Sequence, residues 1–175
     1  MNAKTCIKKT ERKAVLEYVL KRMLEGVHVE VAKLTACKRF GLSEGIRSSE
    51  LLSYIENHKE KKEFLPLKTL LVKRLTRTMS GVTPVAVMTR STCPHGKCIY
   101  CPRGSNAPQS YTGKEPAALR AEQNSFDPWL QVKTRLRQYK EIGHPTAKCE
   151  LIVMGGTFLA QSYHYKIKFI KDCYD

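Results

Sequence analysis

Two short apolar runs on either side of a long helical tract constrain the fold of this chain more than any other feature. Residues 82–89 are mostly apolar or β-branched, and residues 149–154 lead directly into Gly155-Gly156. Each run predicts a strand, and we expect the first to start after Pro84, because proline cannot donate to a strand ladder. The order strand, helix, strand predicts a βαβ unit of a parallel sheet, and therefore an α/β fold.

Proline and glycine mark the ends of the predicted helices in this half of the chain. Pro116 predicts a helix start with proline at the first helical position, and Asp127-Pro128 predicts a restart with the aspartate as N-cap. Gly143 is expected to close this tract. A last helix is predicted from about Tyr163.

The first 80 residues are expected to form a separate helical region. Apolar residues recur there at helical spacing in three segments, with charged residues on the other face. The predicted helices span 8–26 and 30–40, and a third begins at an N-cap of Ser48 or Ser49. A boundary at Ser80-Gly81 gives predicted domains of 1–80 and 81–175.

Positive charge is distributed over the whole chain. The 175 residues include 31 Lys and Arg against 16 Asp and Glu, a net charge of +15 at pH 7, and both predicted domains are basic. A field of that sign attracts polyanions, so nucleic acid or a phosphate-bearing cofactor is the predicted partner. The alternative is a basic protein whose charged residues only form solvated helix faces.

The sequence carries no signal for a membrane or for secretion. It has no run of 18 apolar residues, and its first residues lack the apolar core of a signal peptide. We therefore expect a cytoplasmic protein without a membrane partner. Its seven cysteines are then expected to be reduced thiols or metal ligands rather than disulfides.

Three cysteines follow the first predicted strand and make 93–101 the most informative segment. Cys93, Cys98 and Cys101 have the spacing C-x4-C-x2-C, and three thiolates on one tight loop can converge on one inorganic centre. A [4Fe–4S] cluster normally takes four cysteines, so three would leave one iron open to another ligand. Zinc would need a fourth donor. The candidates for that donor are His95, His144 and Cys149.

The spacing also allows a third interpretation. Cys98 and Cys101 have the C-x2-C spacing of a redox dithiol, although no thioredoxin-like pattern surrounds them. The remaining isolated cysteines are interpreted as small buried hydrophobic residues or as incidental; they are Cys6, Cys37 and Cys173.

Six segments together carry a resemblance to a known family. They are 77–82, 85–89, 93–102, 108–121, 127–133 and 150–160. In this combination the chain resembles the Elongator protein 3 family, the radical S-adenosylmethionine enzymes that form the carboxymethyl group of tRNA wobble uridine by acetyl transfer. The basic helical N-terminus fits the tRNA-binding leader of that family less specifically.

The resemblance implies a basic helical tRNA-binding region, 1–80, followed by an incomplete radical-SAM (β/α) barrel, 81–175. A complete β/α barrel needs about 200 residues or more. The sequence holds no acetyl-CoA motif of the family, so we expect the acetyltransferase domain to be absent from this chain. The family reduces S-adenosylmethionine to a 5′-deoxyadenosyl radical, forms an acetyl radical from acetyl-CoA, and adds it to C5 of the uridine. We expect this chain alone to be inactive in that reaction.

The resemblance also implies ligands, co-substrates and partners. A [4Fe–4S] cluster, its open iron bound to S-adenosylmethionine, would be held by Cys93, Cys98 and Cys101. Gly155 and Gly156 would let the backbone approach the methionine amino group, and Lys148 would contact acetyl-CoA. The implied partner is tRNA, and the family is compatible with a homodimer or with Elongator-type subunits.

Overall fold

The described part of the chain forms two compact units. The computed structural model describes residues 9–96, 98–102 and 104–175, so Cys6 lies outside the described residues. One unit comprises the residues up to Arg77 together with Lys140–His144, and the other comprises Thr78–Tyr139 and Pro145–Asp175. The first unit is helical, whereas the second adds a small parallel sheet, so the architecture is mixed α/β.

The first unit contains the three predicted helices and one short additional helix. They are α1 (Lys9–Leu24), α2 (Val29–Arg39), α3 (Ser48–Asn57) and α4 (Lys68–Leu71), with 3₁₀ turns at Lys62–Leu67 and Leu75–Thr78. The predicted N-cap of α3, Ser48 or Ser49, was wrong by one or two residues, since Arg47 caps the helix. The reason is Glu50, whose carboxylate accepts a hydrogen bond from the Arg47 backbone N–H at 3.1 Å.

An apolar stripe of each long helix forms the core of this unit. Val19 and Leu20 of α1, Leu51 of α3 and Phe64 of the 3₁₀ turn are completely buried. Such burial stabilises by about 1.5–3 kcal/mol per large apolar side chain, so packing rather than helix propensity holds these short helices in place.

A polar cluster around Glu17 joins α1 to α3 and to the turn that follows it. The Glu17 carboxylate accepts hydrogen bonds from Lys61 Nζ at 2.7 Å and from Tyr54 Oη at 3.0 Å, and it pairs with Lys21 at 3.2 Å. The hydrogen bond from Lys61, followed by those from Tyr54 and Lys21, lowers the pKa of Glu17 from 4.5 to about 2. In the folded protein these hydrogen bonds stabilise the ionised form of the Glu17 carboxylate.

We expect Glu17→Gln to destabilise the first unit by about 1 kcal/mol at neutral pH, because charge-assisted hydrogen bonds are lost. A pKa below its unfolded value gives stability that is present above pH 4.5 and is lost as the pH falls toward 2. The difference in unfolding free energy between wild type and variant should therefore shrink below about pH 4.5. Urea unfolding monitored by far-UV circular dichroism at several pH values measures this difference in unfolding free energy. Glu25→Gln, which removes an exposed ion pair with Arg22, is the control and should change stability little at any pH.

The second unit is the predicted βαβ arrangement with a further helix. Its elements are β1 (Thr83–Met88), α5 (Pro116–Gln123), α6 (Pro128–Glu141), β2 (Cys149–Met154) and α7 (Tyr163–Tyr174). The two strands are parallel, with Thr83 opposite Cys149 and Met88 opposite Met154. Val85 and Val87 of β1 are buried against Phe169 of α7.

The predicted helix starts of this unit are confirmed. Pro116 is the first residue of α5, and the Leu130 N–H donates to Asp127 Oδ1 at 2.7 Å, as expected of an aspartate N-cap. Ser162 caps α7 by accepting from the Tyr165 N–H at 3.3 Å. Among the described helices, none is both long enough and apolar enough to cross a membrane.

The start of β1 was predicted wrongly, since the strand begins at Thr83 and includes Pro84. The N–H groups of Thr83 and Thr89 donate to the carbonyls of Lys148 and Met154, on the β2 side. The backbone groups of the alternate residues, Pro84 and Met88 among them, therefore point to the outer edge of β1. Proline is tolerated at that edge because no ladder bond is required there. The Pro84 carbonyl accepts from Tyr139 Oη of α6 at 3.0 Å.

The last residue of β1 is bonded at the same edge by a buried glutamine of α6. Gln131 is 5% exposed, and its Oε1 accepts from the Met88 N–H at 2.8 Å while its Nε2 donates to the Met88 carbonyl at 3.0 Å. One amide side chain thus takes the place of a neighbouring strand. It fixes the position at which the chain leaves the sheet and enters the cysteine loop.

Candidate metal centre

The cysteine loop and the glycine pair lie at the same edge of the sheet. The loop follows the end of β1, and Gly155-Gly156 follows the end of β2. Because the strands are parallel, their carboxyl ends meet at one edge, which is where ligands bind in α/β folds. The three predicted cysteine ligands and the two predicted glycines therefore all follow strand ends at this edge.

The glycine pair packs directly against the segment that leads into the cysteine loop. A Cβ on Gly155 would lie 2.6 Å from the Thr89 carbonyl oxygen, and a Cβ on Gly156 would lie 2.7 Å from that of Ser91. Ser91 Oγ donates to the Gly155 carbonyl at 2.8 Å. The two glycines therefore have a packing role in the chain itself, and their contact with a methionine amino group stays a prediction.

Cys93 is the thiol that this arrangement activates. Its Sγ accepts a hydrogen bond from Thr157 Oγ1 at 3.3 Å and lies 3.4 Å from His95 Nδ1. The hydrogen bond from Thr157, followed by that of His95, lowers the pKa of the Cys93 thiol from 9.0 to about 7. The lowered pKa favours the thiolate, which is the form that binds metals.

The other two thiols lie further along the same loop. Cys98 and Cys101 are half-buried and free of disulfides, as is Cys93. The Cys101 N–H donates to the Cys98 carbonyl at 3.2 Å, and Cys101 Sγ lies 3.3 Å from Ser110 Oγ. Within the described residues, no three His, Cys, Asp or Glu side chains are gathered closely enough to hold a metal ion. The three sulfurs share a loop, but two of them bond to hydroxyl groups of the protein.

Sequence reasoning missed two residues that shape the loop. Gln109 accepts from the Cys93 N–H at 3.1 Å and donates to the Gly96 carbonyl at 2.5 Å, so one side chain ties two points of the loop together. Thr157 connects the glycine segment to Cys93. The position of Thr157 in the sequence could have indicated its role. It comes directly after the glycine pair, at the edge of the sheet where its hydroxyl can reach the cysteine loop.

Lys148 is not brought to this edge. It immediately precedes β2, and its carbonyl accepts from the Thr83 N–H at the start of β1, so it lies at the opposite end of the strands. Strands of six residues separate the two ends by roughly 17–20 Å. The exposed Lys148 ammonium is thus remote from the cysteine loop, and its role toward acetyl-CoA stays a prediction.

The three candidates for a fourth zinc ligand are now distinguishable. Cys149 lies beside Lys148 at the far end of β2, where its Sγ donates to the Thr146 carbonyl at 3.6 Å. His144 directly precedes Pro145, whose carbonyl accepts from Thr83 Oγ1 at 2.5 Å at the start of β1, the end of the strand away from the cysteine loop. His95 lies beside Cys93. If zinc were bound by this loop, His95 is therefore the donor that the structure supports.

A parallel βαβ unit with a thiol-rich loop at the carboxyl end of its first strand defines an α/β protein. Comparison with known proteins is more specific. A tRNA uridine(34) acetyltransferase of Methanocaldococcus infernus is 43% identical over 176 residues, covering 93% of this chain and 32% of its own. The chain belongs to the Elongator protein 3 family.

Further relatives come from bacteria and animals. A tRNA uridine(34) acetyltransferase of Dehalococcoides mccartyi is 57% identical over 105 residues, covering 59% of this chain and 23% of its own. Elongator complex protein 3 of Mus musculus is 38% identical over 175 residues, covering 90% of this chain and 31% of its own. The chain thus spans about a third of the length of the curated relatives it matches. No protein-family model matches the chain.

Proposed function

We propose that this chain is the N-terminal part of a tRNA wobble-uridine acetyltransferase, carrying its tRNA-binding region and the start of its radical-SAM barrel. The observation that carries the proposal is the cysteine loop at the carboxyl end of β1, next to the glycine pair of β2, in a chain whose relatives are named tRNA uridine(34) acetyltransferases. The proposed substrates are tRNA and acetyl-CoA, and the proposed compartment is the cytoplasm, where thiols stay reduced.

The three cysteines are the ligand type of a [4Fe–4S] cluster with one open iron, and the loop would have to bring their sulfurs together on binding it. Three free, half-buried thiols lie on one loop, and the lowered pKa of Cys93 favours the thiolate that iron binds. Cys93, Cys98 and Cys101 would hold the cluster, which when bound supplies the electron that cleaves S-adenosylmethionine. The protein's own residues position this loop: Gln131 fixes the end of β1, Gln109 ties the loop to itself, and Thr157 orients Cys93.

A zinc-stabilised RNA-binding module without catalysis is the second candidate. His95, with Nδ1 at 3.4 Å from Cys93 Sγ, favours it, because three cysteines and one histidine form a closed structural zinc site. The two candidates differ in their need for that histidine. Iron in the cluster needs only the three thiolates, whereas zinc needs the fourth donor.

Metal analysis of protein purified and reconstituted without oxygen tests the proposal. With iron and sulfide supplied, we expect about four irons and four labile sulfides per chain and a brown protein that absorbs near 400 nm (roughly, for iron–thiolate charge transfer). Cys98→Ser should abolish this incorporation, whereas Cys149→Ser, a thiol at the other end of β2, should leave it unchanged.

His95→Ala separates the two candidates. It should leave iron and sulfide incorporation intact if the cluster is the resident group. One zinc per chain, no labile sulfide, and loss of that zinc in His95→Ala would instead establish the zinc module. Incorporation of neither metal, with tRNA binding unchanged after all three cysteines are replaced by serine, would identify a remnant without a metal centre.

A further inference from the structure

A basic pocket lies in the first unit, and none of its lining residues belongs to the cysteine loop or to the glycine pair. Its volume is about 310 Å³, at the small end of the range of roughly 300–1,000 Å³ for ligand pockets. The start of α2, the start of α3 and the segment after α4 surround it. The polar residues that face it are Glu30, Lys33, Arg47, Ser48, Ser49 and Lys73.

Lys33 is fixed in the wall of this pocket. It is 7% exposed, and its Nζ donates to Glu30 Oε1 at 2.9 Å and to Ser48 Oγ at 2.8 Å. The hydrogen bond from Lys33 lowers the pKa of Glu30, and the charges of Lys33, His28 and Lys73 lower it further. Glu30 is therefore ionised, and Lys33 and Glu30 together contribute no net charge to the pocket.

The remaining charges of the pocket are both positive. Arg47, at the start of α3, and Lys73, in the segment after α4, are exposed cations that line the pocket. The nearby Glu50 carboxylate is bound by the Arg12 guanidinium at 2.8 Å and by the Arg47 backbone N–H, so it is already engaged at the start of α3. Ser48 and Ser49 form the first turn of the ten-residue α3, where the positive end of the helix dipole adds to the same potential.

We propose that this pocket binds a phosphate group of the RNA backbone, with Arg47 and Lys73 as its charged ligands and the Ser49 hydroxyl as a hydrogen-bond donor. The buried Lys33 positions Ser48 and holds the rim in place. Two exposed cations at the pocket, on a chain with a net charge of +15, favour a polyanion over a small neutral ligand. This inference rests on the proposed function, because it names the contact through which the first unit would hold tRNA.

Binding of a tRNA transcript, measured by fluorescence anisotropy over a range of salt concentrations, tests it. The double variant Arg47→Gln/Lys73→Gln should weaken binding by about tenfold or more, and the slope of log Kd against log salt should fall by about 1. The matched control is Lys59→Gln/Lys62→Gln, which removes the same charge beyond the other end of α3, about 15 Å away. It should weaken binding no more than about threefold. Equal losses in the two double variants would overturn the proposal.

Inorganic phosphate distinguishes an RNA site from a site for free phosphate. In heteronuclear NMR spectra, phosphate should shift the Ser48 and Ser49 amide signals of the wild type but not of Arg47→Gln/Lys73→Gln. Phosphate shifts together with unchanged tRNA affinity in that variant would overturn the RNA assignment. Wild-type protein that binds no tRNA would also overturn it, whereas iron and sulfide incorporation would be unaffected and would still support the cluster.

Discussion

Gly155→Ala should destabilise the second unit by about 3 kcal/mol or more in protein that contains no cofactor. Gly155 has φ +107°, and its added Cβ would meet backbone, the Thr89 carbonyl oxygen at 2.6 Å, rather than a flexible side chain. A left-handed conformation costs a residue with a Cβ about 1–2 kcal/mol, and overpacking costs a further 1–3 kcal/mol. Urea unfolding followed by the fluorescence of Trp129, the one tryptophan of the chain, reports on this unit.

Gly81→Ala provides the matched control. Gly81 also has a positive φ, +76°, and belongs to the same unit, but a Cβ there would have nothing within 4 Å. This variant carries the conformational cost without the clash, and we expect a loss of about 1 kcal/mol. If Gly155→Ala were no less stable than Gly81→Ala, the glycine pair would have no packing role, and only binding of a ligand would explain it.

Gln131→Leu should destabilise the same unit by about 2–4 kcal/mol. Leucine fits the buried position in size, but it makes neither hydrogen bond to Met88, so a backbone N–H and a carbonyl lose their partners together. An unpaired buried polar group costs about 1–3 kcal/mol. Hydrogen exchange of the Met88 amide should accelerate along with the fall in the urea midpoint, because that amide is directly released.

Gln138→Leu makes the same chemical change on the same helix. Gln138 is half-buried and accepts one hydrogen bond from Arg135 Nη1 at 3.2 Å, where water can replace it. We expect a change within about 0.5 kcal/mol. A similar loss of stability in both variants would mean that leucine weakens α6 itself, and that the bonds to Met88 contribute little.

Local patterns were sufficient to predict most of the secondary structure. The second strand was predicted at its observed limits, Cys149–Met154, because a short apolar run ending in two glycines has few other interpretations. Proline and aspartate likewise predicted the starts of α5 and α6. The prediction excluded Pro84 from β1 because proline cannot donate to a strand ladder. Proline is nevertheless tolerated in a strand that is paired on one edge only, as β1 is. Which edge is free depends on tertiary structure.

The candidate site was predictable in its location but not in its contacts. The cysteine spacing and the following βαβ pattern indicate the carboxyl edge of the sheet, and the loop lies there. The bond of Thr157 to Cys93 and the bridge made by Gln109 join residues distant in sequence, and no periodicity encodes them. The placement of Cys149 at the far end of β2 follows from strand direction alone, and it removes that thiol from the candidate zinc donors.

The side-chain bonds along the outer edge of β1 determine how this sheet can be widened. Tyr139 occupies the carbonyl of Pro84, Gln131 occupies both backbone groups of Met88, and Pro84 has no N–H to offer. A third strand, from the same polypeptide or another, would have to displace α6 to pair there. A strand added beyond β2 would leave all of these bonds intact, whereas one added beside β1 would break them.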